Sequence, residues 1–272
     1  MASGWRDVWD FDDLDLSEAR FRALLAGEVP AVERRGILTQ LARIEGLRGR
    51  FGEGELLLAE AEAAAGADGW VLVERGRLRR SSGDEAAALP LFEAAFEAAR
   101  EQGDGFLAGD AAHMAALVGN PETWTARGIE IARRTDDVAA RYWLGPLLNN
   151  VGWARYEARN FLGALAAFQE ALDVRSSEPE RPYARELARY AVGRTLRELG
   201  RLDEATEQLE RAVAWAAGAG FDAAYFHQEL AECYAVTGKP EAARGQARRA
   251  LELLEESEEP AERIERLRLL SA

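Results

Sequence analysis

Small residues recur in phase along most of this chain, and that periodicity constrains the fold more than any other feature. From Gly152, Ala164 lies twelve residues on, Phe168 sixteen and Ala171 nineteen. From Gly193 the turn residue Gly200 comes at seven, then Ala205, Leu209 and Ala212 follow at the same offsets. Gly76 leads to Gly83, Ala88, Phe92 and Ala95. Ala42 leads to Gly49, Gly54, Leu58 and Ala61, and Ala231 to Gly238, Ala243, Ala247 and Ala250. Ala112 reaches Gly119 and then leaves the pattern at Trp124, Gly128 and Ile131. Self-similarity at a fixed period marks a stack of supersecondary units, none of which can bury its apolar face alone.

Each unit has one mechanical reading. A small residue in a first helix lets a second helix cross closely. A glycine makes the turn, as in SSGD, LGRLD and VTGKP, by supplying an open dihedral at the helix end. Alanines in the second helix leave room for the neighbour, and the large residue between them fills the gap. On these offsets the chain resembles the tetratricopeptide repeat family, of the stand-alone bacterial type, over roughly residues 35 to 255. The match is weakest around Ala112, at PETWTARGIEIA.

The resemblance implies an all-α fold, a right-handed superhelical solenoid of about six antiparallel helix-turn-helix repeats. The expected repeats span about 35–68, 69–102, 105–138, 145–178, 186–219 and 224–257. A solenoid exposes an apolar face at each end, so capping helices are expected. DLSEARFRALLAGEV reads as the first, with Ser17 as its N-cap. SEEPAERIERLRLL reads as the second, about 258–270, with Ile264, Leu267 and Leu270 on one face. Residues 1–16 have no helical period and read as a loose acidic tail ahead of one solenoid domain, 17–272. The long separations near 41 place extra residues in DDVAARYWLGP and SSEPERPYARELAR, where longer helices are expected.

Composition excludes several functions. The 272 residues carry a net charge of −14, which opposes binding to nucleic acid and to anionic membranes. No run approaches a membrane span, and the acidic opening MASGWRDVWDFDDLD lacks the apolar core of a secretory signal, so a cytoplasmic protein is expected. Cys233 is the one cysteine, set in the apolar helical pattern ELAECYAV, and reads as a core residue. His113 and His227 are far apart and lie in no metal-binding motif. No nucleophile elbow or phosphate loop occurs, so no catalytic residue, metal or cofactor is assigned and the chain reads as a non-enzyme.

Binding is where the residues point. The resemblance implies that first helices line a concave groove. Positions minus six, minus three, minus two, plus one and plus four from each small residue then share one stripe. That stripe holds Arg43, with Thr39 and Gln40; Trp70, Arg77 and Arg80, with Glu74; Phe106 and His113, with Asp110. It continues with Asn149, Asn150, Trp153 and Tyr156, then Tyr190, Arg194 and Arg197, then Tyr225 and Gln228, with Glu229 and Glu232. Tyr, Trp and Arg are the residue types that dominate protein interfaces, and arginine forks suit carboxylates. The expected function is a scaffold that binds a protein or peptide segment bearing carboxylates and an apolar anchor. The alternative is a ligand- or peptide-responsive regulator. The oligomeric state is not specified. Asn150 resembles one element of the clamp by which some family members hold chaperone tails. The neighbouring slots hold Gly109, His113, Leu187 and Ala191 instead, so that ligand is not expected. The acidic–aromatic segment WRDVWDFDDLD has the makeup an arginine-lined groove attracts, and could dock there.

Overall fold

The structure, a computed structural model, describes Trp5 and residues 8–135, 137–221, 224–254 and 260–272. Residues 1–4 and 6–7 of the expected tail, and 255–259 at the junction of the last repeat and the C-terminal helix, lie outside the described residues. All regular structure among the described residues is helical. The chain forms two compact units, Met1–Leu147 and Leu148–Ala272.

In the first unit, α1 (Leu14–Leu25) precedes three helix pairs. These are α2 (Ala31–Leu47) with α3 (Phe51–Ala65), α4 (Gly69–Ser81) with α5 (Glu85–Gln102), and α6 (Gly105–Val118) with α7 (Pro121–Arg134). A single-turn helix, α8 (Val138–Arg141), follows. The insert DDVAARYWLGP was expected to lengthen a helix. It forms this separate turn instead, with Ala140 and Trp143 buried. In α9 (Leu144–Glu157) Pro146 stands in the first turn, where its missing N–H costs nothing. The second unit pairs α9 with α10 (Phe161–Ser176), α11 (Pro182–Glu198) with α12 (Leu202–Ala219), and α13 (Ala224–Val236) with α14 (Pro240–Leu254). The C-terminal helix α15 (Ala261–Ser271) packs on α14 and buries Leu267.

The packing follows the offsets. An ideal Cβ on Gly76 would stand 2.4 Å from a ring carbon of Phe92, and one on Gly152 would stand 2.4 Å from Phe168. One on Gly193 would stand 2.7 Å from Leu209 Cγ. In these three repeats the residue sixteen positions on fills the space that the glycine leaves. Phe92, Phe168 and Leu209 are fully buried there. Truncating such a phenylalanine to alanine costs about 3–5 kcal/mol. The weak repeat solves the problem differently. Gly128 occupies the filler position, and Leu147 takes the space, 2.6 Å from an ideal Cβ there.

Turns follow the same register. Gly49, Gly83, Gly200 and Gly238 have φ of 74°, 87°, 72° and 72°, the left-handed region that glycine enters without a Cβ penalty. At the equivalent turn of the α9–α10 pair stands Arg159, with φ 59°.

The start of α1 differs from expectation. Asp13, not Ser17, is the N-cap, its carboxylate accepting from Leu16 N. Ser17 is fully buried. Its hydroxyl donates to Asp10 O and accepts from Asp10 N, each at 2.7 Å, and ties the preceding segment to α1. That segment is packed at Trp5 and half-buried at residues 8–10, while Phe11 stays exposed. Trp5 is buried over Gly36, where an ideal Cβ would stand 2.6 Å from the indole. Trp9 packs edge-on to Phe21 at 5.5 Å.

Candidate functional site

The first unit brings its first helices α2, α4 and α6 side by side, and two layers form across them. One is a row of rings. Trp70 stacks on Phe106 at 6.1 Å, and Phe106 on Tyr142 at 6.4 Å. Trp5 closes the row edge-on to Trp70 at 5.2 Å. The other layer is a charged floor. Arg77 bridges Glu74 and Asp110, with Nη2 2.5 Å from Asp110 Oδ1. Glu74 is fully buried and Asp110 is 1% exposed. Burial pushes the Glu74 pKa up against the pull of Arg77 and Arg43, and its Oε2 has no hydrogen-bond partner among the described residues. Burial also opposes the Arg77 charge, but Asp110 and Glu74 outweigh it and raise its pKa.

Arg43 differs from Arg77. Among the described residues no carboxylate lies within ion-pairing distance of it. Its guanidinium instead faces Trp9 and Phe11, 5.5 and 5.4 Å from the ring centroids. Burial, then the like charge of Arg77, pulls its pKa below the ordinary arginine value. The neighbouring Gln40 accepts from the Trp9 indole N–H at 2.8 Å. The groove-stripe positions of the first repeat are therefore covered by the chain's own N-terminal segment. Each contact has a physical cause: an indole donor needs a partner when buried, and a guanidinium is attracted to the ring quadrupole.

His113 lies on α6 beside Trp143, ring centroids 5.4 Å apart. Burial lowers its pKa to about 4, Asp110 opposing, and it is neutral at physiological pH. Arg80 is half-buried one turn along α4 from Arg77.

The second unit builds its face from α9, α11 and α13. Trp153 packs edge-on to Tyr156 at 5.4 Å and to Phe168 at 4.9 Å. Tyr190 lies between Trp153 and Phe226, at 6.5 and 5.4 Å. Arg194 donates to the Tyr156 hydroxyl at 3.1 Å and to the Tyr190 hydroxyl at 3.0 Å, and lies 3.5 Å from Glu229. Its guanidinium also sits over the rings of Trp153 and Tyr156. Arg197 pairs with Glu229 at 2.8 Å and with Glu198 at 3.0 Å. Tyr190 is 8% exposed, and burial pushes its pKa up to about 12. Beside this network opens a cavity of about 340 Å³, lined by Trp153, Tyr183, Leu187, Tyr190, Arg194, Phe221, Tyr225 and Phe226.

Three stripe residues meet the C-terminal helix. Arg263 of α15 donates to Gln228 at 2.5 Å, and its guanidinium lies 3.8 Å from the Tyr225 ring centroid. Arg266 pairs with Glu232 through two contacts of 2.7 Å. Asn149 and Asn150 are half-buried on α9. Cys233 is fully buried among apolar side chains, its thiol pKa raised by burial to about 11.

The arginines expected to await ligand carboxylates are thus largely matched within the chain. Arg77, Arg194 and Arg197 have acidic partners on the next repeat, and Arg43 has rings. The stripe omitted several residues now seen at these faces. Trp5, Trp9 and Phe11 were hidden in a segment without period. Tyr142 and Trp143 lay in an insert, Tyr183 and Phe221 lie off the five offsets, and Leu187 stands at minus six from Gly193 but was not counted. The YW pair and the clustered exposed aromatics were the available signals.

Residues 188–218 match the family model described as tetratricopeptide repeat. No curated protein sequence matches the chain. Solved structures do, at low identity. A signal transduction ATPase with numerous domains, carrying a tetratricopeptide repeat sensor, from Pyrococcus horikoshii matches with a TM-score of 0.72 and 16% identity. That alignment covers 97% of this chain and 43% of the other, so this chain spans less than half of that protein. The apo quorum sensor NprR from B. thuringiensis matches with a TM-score of 0.57 and 14% identity, over 89% of this chain and 83% of that one. A tetratricopeptide repeat protein from Parabacteroides merdae matches with a TM-score of 0.52 and 16% identity, over 98% and 95%.

Proposed function

We propose that this chain, a tetratricopeptide-repeat protein, is a non-enzymatic interaction module that holds a peptide segment of a partner protein against its first helices. One observation carries the reading. The N-terminal segment already lies on the first repeat as a peptide would, Trp9 bonded to Gln40 and both Trp9 and Phe11 facing Arg43. A face that takes one aromatic segment in cis has the chemistry to take another in trans. Trp153, Tyr156, Arg194 and Tyr225 supply flat area and oriented donors, the residue types that form binding hot spots. Asn150 and Asn149, on the same stripe, offer amides to a passing backbone. Because the arginines are balanced by Glu74, Asp110 and Glu229, an apolar anchor contributes most of the affinity, and carboxylates contribute at the rim.

A partner captured with the full chain and then purified tests this by calorimetry. Arg194→Glu and Asn150→Ala are expected to weaken its binding by about tenfold or more. Arg211→Glu on α12, whose side chain is 61% exposed, is expected to leave it unchanged. Unaltered affinity in both groove variants, with helicity intact, overturns the reading.

The same seat favours a second reading, a peptide-responsive regulator. A segment held by a few side-chain hydrogen bonds and ring contacts can be displaced by a competitor. Peptide-induced proteolysis ahead of Leu14 would support it, and unchanged cleavage would remove it.

A further inference from the structure

We propose that the N-terminal segment holds Arg43 away from Glu74, and that the two close into an ion pair when the segment leaves the first repeat. The exchange deepens the peptide-responsive reading, on which its use in regulation rests, by naming what the seat does once it is emptied.

Repeat register supplies the expectation. Where an arginine directly follows the small residue of a first helix, it meets an acid two residues before the small residue of the next. Arg77 follows Gly76 and lies 2.5 Å from Asp110, two before Ala112. Arg194 follows Gly193 and lies 3.5 Å from Glu229, two before Ala231. Arg43 follows Ala42, and Glu74 stands two before Gly76, on the packed helices α2 and α4. The same rung is expected there, since stacked repeats reuse one interface. It is open: among the described residues no carboxylate lies within ion-pairing distance of Arg43.

Both halves of the rung are left short. Glu74 is fully buried, and its Oε1 accepts from Arg77. Its Oε2 has no hydrogen-bond partner among the described residues. A buried acceptor without a donor has lost its water and gained nothing in return. Arg43 is half-buried, and burial and the like charge of Arg77 disfavour its cation. The two are neighbours without touching, since Arg43 is among the charges that pull the Glu74 pKa down against burial.

The N-terminal rings account for the opening. Arg194 also lies over rings, but Trp153 and Tyr156 belong to its own groove face and it still reaches Glu229. The rings that face Arg43 come from the segment, and Trp9 is fixed there by its bond to Gln40. The guanidinium drawn to them stops short of Glu74. Release of the segment frees Arg43 to complete the rung. A charge-assisted hydrogen bond then replaces part of the lost ring contact. The emptied seat is thereby stabilised, and a displacing peptide meets less resistance.

Double-mutant cycles test the exchange. Arg43→Gln, Glu74→Gln and the pair are made in the natural chain and in a chain carrying Trp9→Ala and Phe11→Ala, and unfolding equilibrium constants are compared. The Arg43–Glu74 coupling is expected to be stronger by about fivefold or more in the second background. Coupling that is equal or weaker there overturns the proposal. Limited proteolysis gives a readout that loss of stability alone would not. Glu74→Gln removes the rung of the emptied seat, so cleavage ahead of Leu14 should slow by about threefold or more. Asp110→Asn, which also takes an acid from Arg77, should not slow it. Unchanged or faster cleavage in Glu74→Gln overturns the proposal, even where the multiply substituted chains do not fold. If both tests succeed while no added peptide speeds cleavage, the exchange stands and the regulator reading fails. If a peptide speeds cleavage while the coupling is the same in both backgrounds, the regulator reading stands and the exchange fails.

Discussion

Replacing Gly36 with alanine should destabilise the chain, although the same change stabilises most helices. Gly36 lies in the interior of α2, where alanine is favoured over glycine by about 1 kcal/mol. Here a new Cβ would stand 2.6, 2.7 and 2.8 Å from Cε2, Nε1 and Cζ2 of Trp5. No carbon tolerates such contacts, so the indole must leave. Trp5 is 7% exposed. A large aromatic side chain buries about 150–250 Å², worth about 4–6 kcal/mol at 25 cal/mol per Å². That is an upper bound, because the free segment recovers entropy when it undocks. The net expectation for Gly36→Ala is a loss of about 1–3 kcal/mol, the range for overpacked sites. The controls are Trp5→Ala and the double variant. Once Trp5 is gone, Gly36→Ala should turn stabilising, by at most about 1 kcal/mol. Guanidinium unfolding followed by far-UV circular dichroism reads all four chains. A stabilising Gly36→Ala in the otherwise natural chain would refute the seat of Trp5, and with it the cis occupation of the first repeat.

Other expectations follow from single positions. Arg159→Gly should raise stability by about 1 kcal/mol, since φ of 59° strains every residue but glycine, offset in part by its ring contact with Phe161; thermal melts check it. Gly152→Ala should cost about 1–3 kcal/mol, because Phe168 has no free space into which to move; denaturant titration against Gly218→Ala, where an added Cβ meets open space, isolates the effect. Burial lowers the His113 pKa from 6.5 to about 4, Arg77 and Arg80 adding to the effect and Asp110 opposing it. The unfolded chain therefore binds the extra proton across that window. Stability is full above about pH 6.5 and falls as pH drops toward 4, by up to about 3 kcal/mol. Unfolding midpoints of the natural chain and His113→Gln should converge across that range.

The register was legible in the sequence because it is a steric code. A small residue and a large one sixteen positions later form one contact, and Gly76–Phe92, Gly152–Phe168 and Gly193–Leu209 obey it. Turn glycines announce themselves for an equally local reason, the sign of φ. The groove stripe was legible as a set of positions, but its pairing was not read. Arg77–Asp110 and Arg197–Glu229 join residues 33 and 32 apart, about one repeat, linking the plus-one or plus-four position to the minus-two position of the next first helix. That rule could have been drawn from the offsets. The makeup of WRDVWDFDDLD suited an arginine-lined groove, but the seats of Trp5 and Trp9 could not be drawn, because a segment with no period carries no register. The Asp10–Ser17 bonds that bring it back depend on a fold that is already in place. Tyr142 and Trp143 were lost for a related reason, since an insert can lengthen a helix or start a new one and composition does not distinguish them.

Hydrogen exchange on the full chain, with and without a bound partner segment, tests the central claim most directly. Amides of the first helices, at 183–197 and 224–236, should exchange more slowly in the complex, while those of α12 and α14 stay unchanged. Protection confined to α12 and α14, with the first helices unaffected, would contradict it.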